Sequence, residues 1–308
     1  MKQYLPKLIA LDLVAPVVLF SVVFAQQSDQ NKFETKLSEL PFARIAEVHE
    51  IDRRCPATGK EDGNVYHYAQ NAAKNNFKAK GNPVALTLND FTRLQLASQA
   101  QIDAGKIALQ GKYPEDRARL RNLIKVRGKA VGEGTIVTLQ AYVFSAQYAN
   151  TKFSKLSDGR PARGEAVDCD NAELDWNDIH IALIAADDGN IDECTTVTAE
   201  ISPHYRPAAW SRFHDGLNED VEASIPGLLY GRVIRGRGRE DRPLRVRLTG
   251  PLFYDASHRP CVFSGGKVTE RHSPERRSIW EIHPIYRIEV YDVMRRRWFD
   301  LDRWARKK

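Results

Sequence analysis

Residues 135–148, TIVTLQAYVFSAQY, constrain this chain more than any other stretch. They are crowded with β-branched and aromatic side chains and are preceded by Gly132 and Gly134. That composition suits a pleated, half-buried surface and makes a poor helix, so a long strand is expected here. Two further runs, DIHIALIA (178–185) and CTTVTAEIS (194–202), alternate apolar and polar residues. The intervening Asp187-Asp188-Gly189-Asn190 has the residues of a tight hairpin turn. A helix is expected between Trp210 and Val221. PLRVRLTGPLFYD (243–255) and SIWEIHPIYRIEVYDV (278–293) supply two more strands.

Three strands, a helix and two strands, opened by a glycine-led long first strand, resemble the OB-fold. That fold is a five-stranded Greek-key barrel. The expected fold class is mainly β with helices: an OB-fold-like barrel over residues 130–293, preceded by a small, mostly helical segment. The run LLYGRVIRG (228–236) fits this order less neatly, and a small open β-sandwich is the alternative. Ahead of the barrel, a short helix is expected over residues 42–54 and a turn-rich stretch over 55–63. A helix follows over 64–77, with Val65, Tyr68, Ala72 and Phe77 as its apolar contacts. A short strand at 83–86 precedes a helix from Asp90 to Gln101, capped by Thr87 or Asn89. A third helix is expected after Pro114, with Glu115 and Asp116 in its first turn.

The N-terminus carries Lys2 and Lys7, an apolar run from Leu8 to Phe24, and Val23-Phe24-Ala25, the pattern of a secretory signal peptide. Asp12 and Pro16 interrupt the run, which argues against a permanent membrane anchor. The expected organisation is a leader over 1–25, a helical or irregular segment over 26–128, the barrel over 129–294 and a basic tail over 295–308. No later segment is long and apolar enough to span a bilayer, so no stable span remains after cleavage. All four cysteines fall in the mature part, and an even count in an exported chain favours two disulfides. Three pairings are open, with Cys169–Cys194 and Cys55–Cys261 favoured. The absence of any Cys-x-x-Cys pair speaks against zinc held by thiols.

The Cys55-Pro56 turn, the NAAKN run (71–75) and the phrases DIHIAL, EISPHYRPAAW, LTGPLFYDASHRPC and SIWEIHP resemble a group of uncharacterised exported bacterial proteins. The resemblance implies one exported architecture and brings no activity with it.

Alternation sorts the strand residues by face. Ile179, Ile181 and Leu183 share one face, which leaves His180 on the other. Val197, Ala199 and Ile201 point inward and Glu200 outward, and Glu281 and His283 oppose Trp280 and Ile282. In an OB barrel the third strand lies between the second and fifth. His180, Glu200 and Glu281 or His283 are therefore expected on one outer surface. Two imidazoles and a carboxylate suit a divalent metal or general acid–base work, and so a metal-assisted, nuclease-like hydrolase. The weightier reading is a hydrogen-bonded polar seam beneath the N-terminal segment, since no His-Glu-x-x-His spacing is present. Apart from that divalent metal, no cofactor is indicated. There is no Gly-x-Ser-x-Gly elbow and no Walker-type loop, so the chain leans away from enzymes that use them.

Arginines crowd GRVIRGRGREDRPLRVR (231–247) and the C-terminal tail. Arg245 and Arg247 fall opposite Leu244, Val246 and Leu248. Beside Tyr142 and Phe144 they form the kind of surface on which OB barrels hold single-stranded nucleic acid, with cations on the backbone and rings on the bases. The competing reading is a solvated face, since the formal net charge is only +6. The leading expectation is an exported, periplasmic or extracellular binding module for nucleic acid or another polyanion. A structural or protein-docking role with an envelope partner is the third reading.

Overall fold

The structure is a computed structural model. It describes residues 54–56, 58–60, 62–149, 160, 163–185, 192–207, 210 and 244–305. The expected leader, the rest of the segment up to residue 53, the expected turn at 187–190 and the stretch 211–243 lie outside the described residues. With that stretch go the helix expected after Trp210, the 228–236 run and its arginines. Residues 306–308 lie outside as well.

Helix α1 (Val65–Lys74), strand β1 (Val84–Leu86) and helix α2 (Leu88–Asp103) come first. They are followed by two small hairpins, β2 (Leu109–Gln110) with β3 (Tyr113–Pro114) and β4 (Ile124–Val126) with β5 (Lys129–Val131). Then come β6 (Ile136–Tyr148), β7 (Ile179–Ile184), β8 (Val197–Ile201) and β9 (Arg245–Tyr254). Hairpin β10 (Val262–Ser264)–β11 (Lys267–Glu270) precedes β12 (Trp280–Ile282), β13 (Arg287–Asp292), β14 (Arg297–Asp300) and helix α3 (Leu301–Ala305).

Strands β6, β7, β8, β12 and β9 are hydrogen-bonded neighbours in that order, and β9 pairs back onto β6, closing a five-stranded barrel. β8 and β12 run parallel, and the other pairs of the ring are antiparallel. This is the OB-like order expected from the sequence, with the third strand between the second and the fifth. Ile179, Ile181, Leu183, Val197, Ala199, Ile201, Trp280 and Ile282 fill its interior. β1 adds in parallel to β6, and α2 packs Phe91 and Leu94 into the same core. The capping choice falls on Thr87, whose N–H and Oγ1 both donate to Asp90, at 2.9 and 2.8 Å.

The fifth strand departs from expectation. The run 278–293 does not form one strand but breaks between Ile282 and Arg287. β12 closes the barrel against β8, and β13 pairs with the other half of β9. Pro284 sits in the break, where its missing N–H interrupts no ladder. Gly250 allows the break to lie close to β9. A Cβ at that position would stand 2.3 Å from the Pro284 carbonyl oxygen and 2.9 Å from Ile282 Cγ2. The expected basic tail is part of the sheet as well, because β14 pairs with β13 and Trp304 is buried behind it.

Two further expectations need correcting. The helix foreseen after Pro114 is a single 3-10 turn, Arg117–Leu120, whose first turn is capped by Asp116. Of the four apolar contacts foreseen for α1, Phe77 is buried but lies beyond the helix end, and Val65 and Ala72 are exposed. The face that α1 does bury is polar, formed by Gln70, Asn71 and Lys74.

The disulfides join Cys55 to Cys169 and Cys194 to Cys261, not Cys169 to Cys194 and Cys55 to Cys261 as expected. Cys169 precedes β7 and Cys194 follows it, so the strand separates them. Each is bonded to a cysteine from another part of the chain, with Cα–Cα distances of 5.7 Å for Cys55–Cys169 and 5.6 Å for Cys194–Cys261. Cys169 instead ties the segment before β7 to the chain ahead of α1, where Lys60 N–H donates to the Ala166 carbonyl at 2.7 Å. Two disulfides are the mark of a chain that folds in an oxidising compartment. Among the described residues, no helix is long and apolar enough to cross a membrane.

Candidate functional site

The outer wall of β7, β8 and β12 carries the side chains that the sequence put on one face, and the structure brings them together. His180 and Glu200 are cross-strand partners in the β7–β8 pairing. The parallel β8–β12 register sets Ile282 opposite Ala199, which carries His283 to the level of Glu200. His180 Nε2 stands 3.2 Å from Glu200 Oε1, and His283 Nε2 stands 3.4 Å from Glu200 Oε2. Glu200 is thus the hub, with one imidazole on each oxygen.

This wall does not face solvent. Helix α1 lies over it, and the ammonium of Lys74, its last residue, enters the centre of the cluster. Lys74 Nζ contacts Glu165 Oε2 at 2.6 Å, Asp178 Oδ2 at 3.0 Å and Glu200 Oε2 at 3.0 Å. The backbone of the same lysine contributes too, for its carbonyl lies 2.6 Å from His283 Nδ1. One turn earlier, Gln70 donates to Asp255 and Ser257 at 3.2 and 2.8 Å and accepts from Ala256 N–H at 3.1 Å. Asn71 donates to the Thr58 carbonyl at 2.9 Å. The helix therefore docks through hydrogen bonds and charge where an apolar stripe would be usual.

Burial makes each of these charges costly, and their mutual attraction decides which survive. Burial pushes the Lys74 amine down, but Glu165, Glu200 and Asp178 outweigh it and hold the ammonium well above its ordinary range. Burial likewise opposes ionisation of Glu165, yet Lys74, ahead of His180, brings its carboxyl down to about 2. Asp178 and Glu200 are lowered further still, each against burial, the first chiefly by Lys74 and the second by His180 and Lys74. Burial works against the imidazolium of His180, but Glu200 and then Glu165 raise its pKa. Glu281 behaves in the opposite way. Burial, then the charges of Glu200 and Asp255, push it well above the carboxylate range, with Arg276 Nη1 3.7 Å away as a weak counterweight. Asp168 is raised for the same reasons, burial first and Asp178 second.

The two histidines differ in access. His283, Asp178 and Glu200 have side chains 0–1% exposed, whereas those of His180 and Glu165 are 18% and 15% exposed. Lys74, Glu165 and Asp178 were not foreseen. Lys74 lies in an ordinary helix, Glu165 in a loop and Asp178 one residue ahead of β7, and nothing local in their sequence distinguishes them from surface charges.

The arginine surface also exists. Tyr142 and Arg245 are partners across the β6–β9 ladder, and Arg247 lies two residues along. Arg247 is held by Glu289 through two hydrogen bonds, of 2.6 and 2.7 Å, and stacks over Trp298 at 4.8 Å. Arg245 donates to Gln140 at 3.2 Å and lies over both Tyr291 at 4.9 Å and Trp298 at 5.5 Å. Phe144 sits at a register shift of β6 and is half-buried beside this row. Trp298 was missed because the sheet was expected to end at residue 294, and Tyr291 because residues 278–293 were expected as one strand, whereas β13 breaks from β12 and pairs with the Arg245 half of β9.

Together these features define an OB-like small barrel with a capped, charge-dense wall on one side and an arginine–aromatic row on another stretch of strand. Comparison with known families, curated proteins and solved structures returns no match for this chain.

Proposed function

We propose that this chain is an exported OB-like binding protein whose β6–β9–β13–β14 surface holds single-stranded nucleic acid. The observation that supports this most is Arg245, poised over Tyr291 and Trp298 on a half-exposed row that also presents Tyr142. Guanidinium groups held flat against aromatic rings offer charge for phosphates and flat faces for bases in one strip. Glu289 neutralises Arg247, so Arg245 carries more of the electrostatic attraction. The leader over residues 1–25 and the two disulfides support a site of action outside the cytoplasm, in the periplasm or beyond the cell.

Fluorescence anisotropy of labelled single-stranded DNA tests the reading. Binding is expected to weaken steeply as salt rises. Arg245→Ala should weaken it about tenfold, the scale of one lost stacking contact. An absence of binding at low salt, or binding indifferent to Arg245→Ala, would reject a nucleic-acid role for this face.

A further inference from the structure

Lys74 does not take all the carboxylate oxygens around it. It contacts Glu165 Oε2, Asp178 Oδ2 and Glu200 Oε2. The second oxygens of two of these groups, Glu165 Oε1 and Glu200 Oε1, stand instead 3.5 and 3.2 Å from His180 Nε2. One potential ligand atom from each of Glu165, His180 and Glu200 lies within 4.8 Å of the other two. Ligands about 2.0–2.2 Å from a tetrahedral ion are about 3.3–3.6 Å apart, so the two spacings to the imidazole match the edges of such a site.

A second set, Asp178, Glu200 and His283, converges just as closely. There, however, the lysine ammonium already contacts Asp178 Oδ2 and Glu200 Oε2, the very oxygens that face His283. That set is also sealed from solvent, whereas His180 and Glu165 form the edge that water reaches. Glu200 Oε1 and His180 Nε2 are both shut from solvent and neither completes a hydrogen bond, so each has coordination to offer. The charge balance points the same way. With His180 neutral, as a ligand must be, three carboxylates against one ammonium leave two negative charges over, the charge of one divalent cation.

We propose that Glu165, His180 and Glu200 form a binding site for a divalent transition-metal ion, with Lys74 as the permanent cation of the adjoining set. One imidazole and two carboxylates suit Zn2+ or Mn2+. Three protein ligands leave one position of a tetrahedral ion for water or an anionic oxygen, on the side where the His180 and Glu165 side chains are partly exposed. The groups beyond the ligands are Lys74 and Asp178 on the sealed side, with His283 and Glu281 against Glu200. This inference does not depend on nucleic-acid binding, because it uses none of the residues of the arginine row.

The test uses the untagged full chain, with its disulfides intact, stripped with chelator and titrated calorimetrically with Zn2+ and separately with Mn2+. One equivalent is expected to bind. His180→Gln and Glu165→Gln should each weaken binding by at least about tenfold, since even loss of an outer-shell partner has that effect. His283→Gln should bind as the unsubstituted chain does. X-ray absorption of the zinc-loaded, unsubstituted protein should show one imidazole with oxygen ligands, which keeps the test open if a variant does not fold. Absence of stoichiometric binding of either ion would overturn the site, as would a zinc spectrum without imidazole. Loss of binding on His283→Gln with retention on His180→Gln would equally overturn it.

Discussion

Replacing Lys74 with Met tests what holds α1 to the barrel. The substitution keeps an unbranched side chain one atom shorter and removes the one ammonium shared by Glu165, Asp178 and Glu200 at 2.6–3.0 Å. Removing one partner of a buried ion pair costs about 3–5 kcal/mol, because the remaining charge is left uncompensated. Here three carboxylates lose their common partner, so Lys74→Met is expected to cost about 4 kcal/mol or more in urea unfolding at pH 7. The pH dependence supplies a second check. In the parent chain these acids are held below their ordinary range, so their contribution is complete above the unfolded pKa and declines as pH falls through that value toward the folded one. Without the ammonium the folded acids accept protons more readily, and the variant loses less on acidification. The gap between the two chains should therefore narrow below about pH 4.5. A loss under about 1 kcal/mol at pH 7, or a gap unchanged by acid, would refute the argument that a shared ammonium fastens the cap.

Glu165 alone, lowered from 4.5 to about 2, should contribute about 3 kcal/mol that is present above pH 4.5 and lost as pH falls toward 2. Metal-free Glu165→Gln should accordingly show a shallower acid limb in unfolding measured by circular dichroism. Peptide mapping without reductant should recover Cys55 linked to Cys169 and Cys194 linked to Cys261, and a Cys169–Cys194 peptide would contradict this pairing. Gly250→Ala should destabilise by about 1–3 kcal/mol in thermal unfolding, since its Cβ would collide with the backbone at Pro284.

The barrel was legible because strands announce themselves locally. Alternation across 179–184 and 197–201 assigns every inward residue to its face, and these are the residues that fill the interior. The order of five strands with β8 in the middle then followed from the resemblance of their succession to the OB-fold. What escaped depends on partners far apart in the chain. Cys55 and Cys169 are separated by 114 residues, and nothing near either shows that the segment before β7 folds back on the start of α1. α1 misled for a different reason. A helix that buries Gln70, Asn71 and Lys74 has the same hydropathy pattern as one that exposes them, so its apolar residues were assigned contacts that two of the four, Val65 and Ala72, do not make.

The sequence does carry one sign that the outer wall is covered, and it lies in the balance of charge. A strand face open to water usually mixes both signs. The outward residues of β7, β8 and β12 with their immediate flanks include Asp178, His180, Glu200, Glu281 and His283, and neither lysine nor arginine is among them. In a low-dielectric setting so one-sided a wall cannot keep its carboxylates ionised unaided. A cation must come from elsewhere in the fold, and one lysine in an otherwise unremarkable helix supplies it. That lysine offsets one of three ionised carboxylates. The negative charge it leaves over favours a proton on His180, or the metal proposed above in its place.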